Sequence, residues 1–251
     1  MIRLTLTIIV ISVVGFFTEG LAQKKKTTEQ PPEPVQKTEE QIPMKADNQN
    51  LMDEHYFKKY TMAVRWNDGA MAKDALYDLI VNNPQNDSLI FNLAYYYYDN
   101  QEFAPAMLVT QELIARQPKN PGYLELSGAS FEAIGILDRA LQNYETLYLL
   151  TNSTPSLYKI AFLQYDLKRF SESLTNVNIL LTKPDLADYP IGFNDAQGNP
   201  KDYPMQVAVM NLKGLLLEGN GDKEGAKQVY NEILQLSPDF QPAKANLAKL
   251  K

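Results

Sequence analysis

The sequence predicts an all-α protein, a right-handed superhelix (α-solenoid) of about five stacked helix-turn-helix units closed by a C-terminal capping helix. Three series of residues at one spacing predict it. A small residue in the first helix of each pair runs Ala94, Gly128, Ala161; an alanine or serine early in the second helix runs Ala72, Ala106, Ala140, Ser173; and a closing proline stands at Pro84 and Pro118. The steps are 34 residues, with 33 between Gly128 and Ala161 and between Ala140 and Ser173, and a fixed period of this size marks a helical repeat array. A pair of antiparallel helices cannot bury its own apolar face, so units stack, and small residues lie where helices approach most closely.

Taken from the amino terminus, Met1 to Arg3 is a short basic start, Leu4 to Phe17 an apolar run, and Gly20-Leu21-Ala22 a small-residue cleavage site before Gln23. Together they predict a secretory signal peptide over residues 1–22. The apolar run is short of the ~20 residues that span a bilayer. Lys24, Lys25 and Lys26 oppose translocation, which keeps an inner-membrane anchor as the lesser reading. Residues 23–50 hold Pro31, Pro32, Pro34 and Pro43 among Lys, Glu, Thr and Gln. So little apolar surface does not offset the entropy of ordering, and this stretch is expected to be a disordered tether.

The array is expected over residues 51–251, in units at about 53–85, 86–120, 121–153, 154–184 and 205–239. In the second unit Leu93, Ala94 and Tyr97 share a helical face, and Phe103, Ala106, Leu113 and Ile114 continue the stripe to Pro118. The third repeats this with Gly128, Phe131, Gly135, Leu137, Ala140, Tyr144 and Leu147, and the last with Gly214, Leu217, Gly221, Asp222, Ala226, Tyr230, Ile233, Leu234 and Pro238. These residues resemble the tetratricopeptide repeat family, whose pattern joins a leucine and a small residue to an aromatic, a Gly-Asp turn, an alanine, an aromatic and a proline. The chain departs from that pattern at Tyr60, Asn152, Lys213 and Ser173, and Tyr60 marks the first unit as an atypical end repeat.

Between Ser173 and Ala226 the step is 53 residues. The excess, about 185–203, is rich in Asp, Gly, Asn and Pro, and Ile191-Gly192-Phe193 predicts one arm of a small hairpin. Asp195 to Asn199 lacks the acidic alternation and closing glutamate of a calcium loop. After it, residues 240–251 predict a cap helix, with Pro242 in the first turn, an Ala243, Leu247 and Leu250 face, and Lys244, Lys249 and Lys251 toward the end.

Composition narrows the function classes. The 251 residues carry a formal charge of −6, with pI near 5.0, which lacks the basic footprint of nucleic-acid binding. Cysteine is absent and His55 is the sole histidine. This removes disulfides, a lipid-bearing cysteine, histidine metal clusters and the usual nucleophilic pairs, so no enzyme, metal or cofactor is expected. Asn86 and Ser153 are expected to serve helix starts.

What is left is surface. First helices line the concave side of such arrays, and the face that the resemblance implies holds Phe57, Thr61 and Val64, then Phe91, Tyr95 and Tyr98. It continues through Glu125 and Glu132, then Tyr158, Phe162 and Tyr165, and ends with Asn211, Leu215 and Glu218. An aromatic groove with acidic patches suits a protein or peptide segment, while aromatics at helical spacing also serve packing. The clamp by which some family members hold a partner's terminal carboxylate is not visible; Lys58 and Lys159 are its only candidates. The sequence therefore points to a non-enzymatic scaffold in a bacterial cell envelope, periplasmic or secreted. A glycan-binding module using Tyr95, Tyr98, Tyr158 and Tyr165 is the alternative. Less expected are an accessory subunit that binds through 185–203 and an enzyme with that insertion as a lid.

Overall fold

The computed structural model describes residues 44–250; the expected signal segment, 1–22, and the expected tether up to residue 43 lie outside the described residues. The compact unit that carries the array begins at Asn48. It is an all-α solenoid with one hairpin. The first helices of the pairs are α1 (Met44–Arg65), α3 (Asp87–Asp99), α5 (Pro121–Ala133), α7 (Thr154–Asp166) and α9 (Met205–Gly219). Their partners are α2 (Gly69–Asn82), α4 (Phe103–Arg116), α6 (Leu137–Thr151), α8 (Phe170–Leu180) and α10 (Lys223–Leu236), and α11 (Gln241–Lys249) follows. A 3₁₀ turn (Leu186–Asp188), β1 (Pro190–Asn194) and β2 (Pro200–Pro204) lie between α8 and α9.

One expected boundary is corrected. The expected tether runs to residue 50, yet α1 starts at Met44. The chain has no proline or glycine between Pro43 and Gly69, and extending an existing helix avoids the cost of nucleating a new one.

Local chemistry sets the period. Asn86, Asn120 and Ser153 stand one repeat apart and cap α3, α5 and α7, each accepting backbone N–H bonds from the first turn. The turn inside each pair contains one left-handed residue at a matching position: Asn67, Gln101, Gly135, Lys168 and Gly221. Only Gly135 and Gly221 adopt that conformation without a steric cost. Asn152, found where a closing proline was expected, is also left-handed (φ 51°) and ends α6.

Packing follows the small residues. Ala94, Ala106, Ala140, Ala161 and Ala226 are fully buried. Ser173, in an alanine position, donates its hydroxyl to the Ala161 carbonyl at 2.7 Å, which removes the cost of burying it. Tyr144 lies over Gly128, and Tyr230 lies over Gly214. Each tyrosine also donates to a glutamate one turn beyond its glycine, Tyr144 to Glu132 at 3.4 Å and Tyr230 to Glu218. Matching polar ties close the first two units. Asp53 accepts from Asn82 and Asn83, and Asp87 accepts from Arg116 and Gln117. Tyr60 lies against the core of Leu76, Leu93, Tyr97 and Ala106.

The insertion is built into this stack. β1 and β2 pair antiparallel, with Ile191 opposite Tyr203 and Phe193 opposite Lys201. Phe193, Tyr203 and Phe240 form a triangle of edge-to-face rings with centroids 4.9 to 6.3 Å apart. Tyr203 and Lys201 both bond Asp239, and Asp195 accepts the backbone N–H groups of Gln197 and Asn199 to shape the hairpin tip.

A Cβ at position 214 would stand 2.4 Å from the Tyr230 ring, and one at 128 would stand 3.1 Å from the Tyr144 ring. Tyr230 is fully buried and cannot move aside. Gly214→Ala should therefore lose about 2 kcal/mol through overpacking, in spite of the ~1 kcal/mol helix gain of alanine over glycine. Gly128→Ala should be near neutral. Urea unfolding of both variants checks this, and equal losses at the two sites would contradict it.

Candidate functional site

Successive first helices touch directly, α3 with α5 and α7 with α9. Three side-chain columns run across them at the repeat spacing. One is Phe91, Glu125, Tyr158, Asn211; the next is Tyr95, Ala129, Phe162, Leu215; the last is Tyr98, Glu132, Tyr165, Glu218. Aromatics on α3 and α7 thus flank a stretch of α5 that holds two carboxylates and an alanine.

The aromatics are half-buried and paired on one side. Phe91 meets Tyr95 (4.7 Å) and the buried Tyr123 (4.8 Å), Tyr98 meets Phe103 (5.3 Å), Tyr158 meets Phe162 (4.4 Å), and Tyr165 meets Phe170 (5.5 Å). Packing and surface roles are therefore shared within single rings. Tyr97, between Tyr95 and Tyr98 in its helix, is buried in the core.

Electrostatics tie the columns into one surface. Burial raises the Tyr95 and Tyr98 phenols; Glu125 and Asp99 add to the first, and Glu132, Asp99 and Glu125 to the second. Burial and then Glu132 raise Tyr158, while burial, Asp166 and Glu218 raise Tyr165. Glu132 is the hub. It accepts two bonds from Lys159 Nζ (3.0 Å each) and one from the Tyr144 hydroxyl (3.4 Å), and its charge helps raise Tyr98, Tyr158 and Asp166. Lys159, one of the two candidate clamp cations, is thereby neutralised. The other, Lys58, pairs with Glu54 at 2.6 Å on α1.

Glu125 and Asp166 differ from Glu132. Neither accepts a hydrogen bond or ion pair among the described residues. Burial lifts both carboxyls above their ordinary values, Lys159 opposing the shift at Glu125 and Glu132 adding to it at Asp166. Glu125 is nonetheless exposed, so solvent screens much of this effect.

Eight of the ten expected site residues therefore belong to one surface: Phe91, Tyr95, Tyr98, Glu125, Glu132, Tyr158, Phe162 and Tyr165. Phe57 stands on α1, 60% exposed, and shares no ring contact with them among the described residues. Asn211 accepts from Asn246 Nδ2 of α11 at 3.2 Å, so it is tied to the end of the array. Sequence reasoning missed Asp99 and Asp166, which close their helices immediately after Tyr98 and Tyr165. It also missed Ala129, whose signal is a small residue in a column otherwise filled by Tyr, Phe and Leu. Among the described residues no group of three His, Cys, Asp or Glu side chains is placed to hold a metal ion.

Comparison with known proteins fixes the fold. No protein-family model and no curated protein sequence matches the chain. Solved structures do. A tetratricopeptide repeat protein from Parabacteroides merdae superposes with a TM-score of 0.64 at 17% identity, covering 80% of this chain and 72% of that one. YrrB, described as a TPR protein with an unusual peptide-binding site, gives a TM-score of 0.62 at 12% identity over 80% of this chain and 95% of its own. MamA from Desulfovibrio magneticus gives 0.59 at 10% identity over 74% and 96%. The fold is that of the tetratricopeptide repeat proteins.

Raised carboxyl values have a stability sign. A group held above its unfolded value favours the protonated form, so it costs the fold stability as pH rises through the folded value. Glu125→Gln, neutral at every pH, should melt above the wild type at pH 7 and together with it near pH 3. Thermal melts by circular dichroism at the two pH values test this, and a lower melting point for the variant at pH 7 would refute it.

Proposed function

We propose that the chain is a non-enzymatic interaction scaffold that holds a segment of a partner protein along the joined surface of α3, α5, α7 and α9. The observation that carries this reading is continuity. Each first helix from α3 to α9 contributes a side chain that feels the charge or ring of the next: Tyr98 with Glu132, Glu132 with Lys159, Tyr165 with Glu218. Half-buried tyrosines held by packing lose little further entropy on binding, so they suit anchoring a peptide. The peptide-binding site named for YrrB supports the same use of this fold.

A peptide fits this surface better than a glycan. Half-buried rings alternating with acidic side chains suit a peptide, and a phenylalanine against one side of each of the four tyrosines narrows the ring face left for a sugar. The 185–203 insertion has committed its aromatic side to the core, with Tyr203 buried, which leaves it little of a lid's freedom.

The cell envelope is the proposed location. Support for it comes from the basic start, the apolar run and the Gly20-Leu21-Ala22 site. Mass spectrometry of the protein from its native cells should give a chain beginning at Gln23, and a chain retaining Met1 to Ala22 would favour the anchor instead.

The groove is tested by cross-linking in the native envelope with wild type and with the combined Tyr95→Ala, Tyr98→Ala, Tyr165→Ala variant, first shown by circular dichroism to stay helical. Each truncation should weaken a groove-bound partner by about 1–2 kcal/mol. A partner recovered with wild type should be lost with the variant. The same partners with both would move the site off these rings.

A further inference from the structure

The two ends of the array are finished differently. At the carboxyl end α11 buries Ala243 and Asn246 against the fifth unit, and the residues it leaves exposed are Lys244, Ala245, Ala248 and Lys249. At the amino end α1 buries Ala63 and leaves a seam of large side chains in water. Met52, His55, Lys59, Met62 and Trp66 follow one another at steps of three and four residues, the spacing that keeps side chains on one side of a helix. Trp66 lies just past the end of α1, but its N–H still bonds the Met62 carbonyl at 3.0 Å, so the seam runs on through it. Met52, Met62 and Trp66 are exposed, the last to 67%, and the exposed Leu51 of α1 and Met71 of α2 add apolar area at this end. The single formal charge in the seam, Lys59, is held by Asp74 (2.5 Å) and Asp78 (3.3 Å) of α2.

We propose that this seam is the interface of a homodimer, in which α1 of one copy packs antiparallel on α1 of a second copy. The seam is self-complementary about Lys59, as a two-fold interface requires. A two-fold axis at that position sets Met52 against Trp66 of the second copy and His55 against Met62, so that each thioether meets an aromatic ring. Charge agrees with this pairing. Each copy presents Lys59 beside the exposed Asp74, so opposite charges, and not two bare cations, come together at the axis. Area agrees too. Five large apolar side chains, each about half exposed, leave on the order of 500 Å² of apolar surface, the upper end of what a soluble monomer shows. With the polar side chains between them, each copy approaches the ~800 Å² that a stable interface takes from each partner. The alternatives fit less well. Residues 23–43 hold Val35 and Ile42 as their only large apolar side chains, too few to cover the seam. The lysines of α11 offer it no apolar face, so copies meet head to head and not head to tail. The seam uses none of the groove residues.

The test uses the protein as its native cells produce it, followed by sedimentation equilibrium and by the emission of Trp66, the sole tryptophan. Wild type should sediment at twice the mass of one chain, and dilution should return it to one chain while the Trp66 emission moves to the red. The combined Met52→Glu, Met62→Glu variant changes two exposed positions and should keep its helical circular dichroism. It should weaken association by about a hundredfold or more, because it places unpaired carboxylates in a drying seam. Leu149→Glu, at an 84% exposed position on α6, should leave the dimer intact. The chain has no cysteine, so Lys59→Cys supplies a single thiol at the axis. A short bifunctional maleimide should join two copies through it, and should not join them through Leu149→Cys. Single-chain mass at every concentration overturns the dimer, and a blue-shifted Trp66 emission in that monomer would give the seam to the chain's own residues before Met44. A dimer that survives the Met52 and Met62 changes, or that cross-links equally at positions 59 and 149, overturns the seam as its interface. So does a different protein bound in place of the second copy.

Discussion

The close approach of two helices over a residue without a side chain is the constraint on which the rest of this structure depends. Tyr230 can cross α9 only because position 214 is glycine, and Tyr144 crosses α5 over Gly128 at a distance that leaves a Cβ just enough room. In both places the ring is then held from its far end by a glutamate of the helix it crosses. The contact therefore fixes the distance between helices and their rotation together. Where the small residue is alanine, as at Ala94 and Ala161, the same approach is made with fully buried methyl groups. Stacking buries what a single pair cannot, so an error at one such contact propagates to the units on both sides.

That constraint also explains what the sequence revealed. The period was legible because small residues, caps and prolines recur at positions where substitutes clash or leave backbone groups unpaired. Asn86, Asn120 and Ser153 are read directly as helix starts. The left-handed turn position was only half legible: Gly135 and Gly221 mark it, while Asn67, Gln101 and Lys168 adopt the same conformation with no signal. The start of α1 at Met44 was hidden because polarity of 44–50 reads as solvent exposure, and an exposed helical turn needs no apolar stripe. At the site, column spacing brought together eight of ten expected residues. It could not show that the other side of Tyr98 would rest on Phe103, or that Lys159 would be taken by Glu132.

The groove is organised against stability as well as for it. Glu132 is a satisfied carboxylate, bonded from α6 and α7, and it locks three helices together. Glu125, two turns earlier on the same helix, is unsatisfied and its carboxyl is raised. Two glutamates on one helix thus have opposite consequences, and composition alone could not separate them. An interior contact under selection for stability alone tends toward the first arrangement, because unpaired charge in a partly dry site raises the energy of the fold.

The insertion keeps the fifth unit in register with the other four. A step of 53 residues in place of 34 would break the columns if the extra chain simply looped out and let the fifth unit drift. Instead Leu186 and Tyr203 are buried, and Phe193, Tyr203 and Phe240 lock the hairpin to the junction of α9, α10 and α11. Met205 N–H bonds the Tyr189 carbonyl, so α9 begins where the hairpin closes. The result is that α9 meets α7 as though no residues had been added. Tyr165 still feels Glu218, and Tyr230 in turn feels Tyr165. The hairpin is therefore a spacer with a fixed shape, and its physical consequence is that a surface begun on α3 continues without interruption to α9.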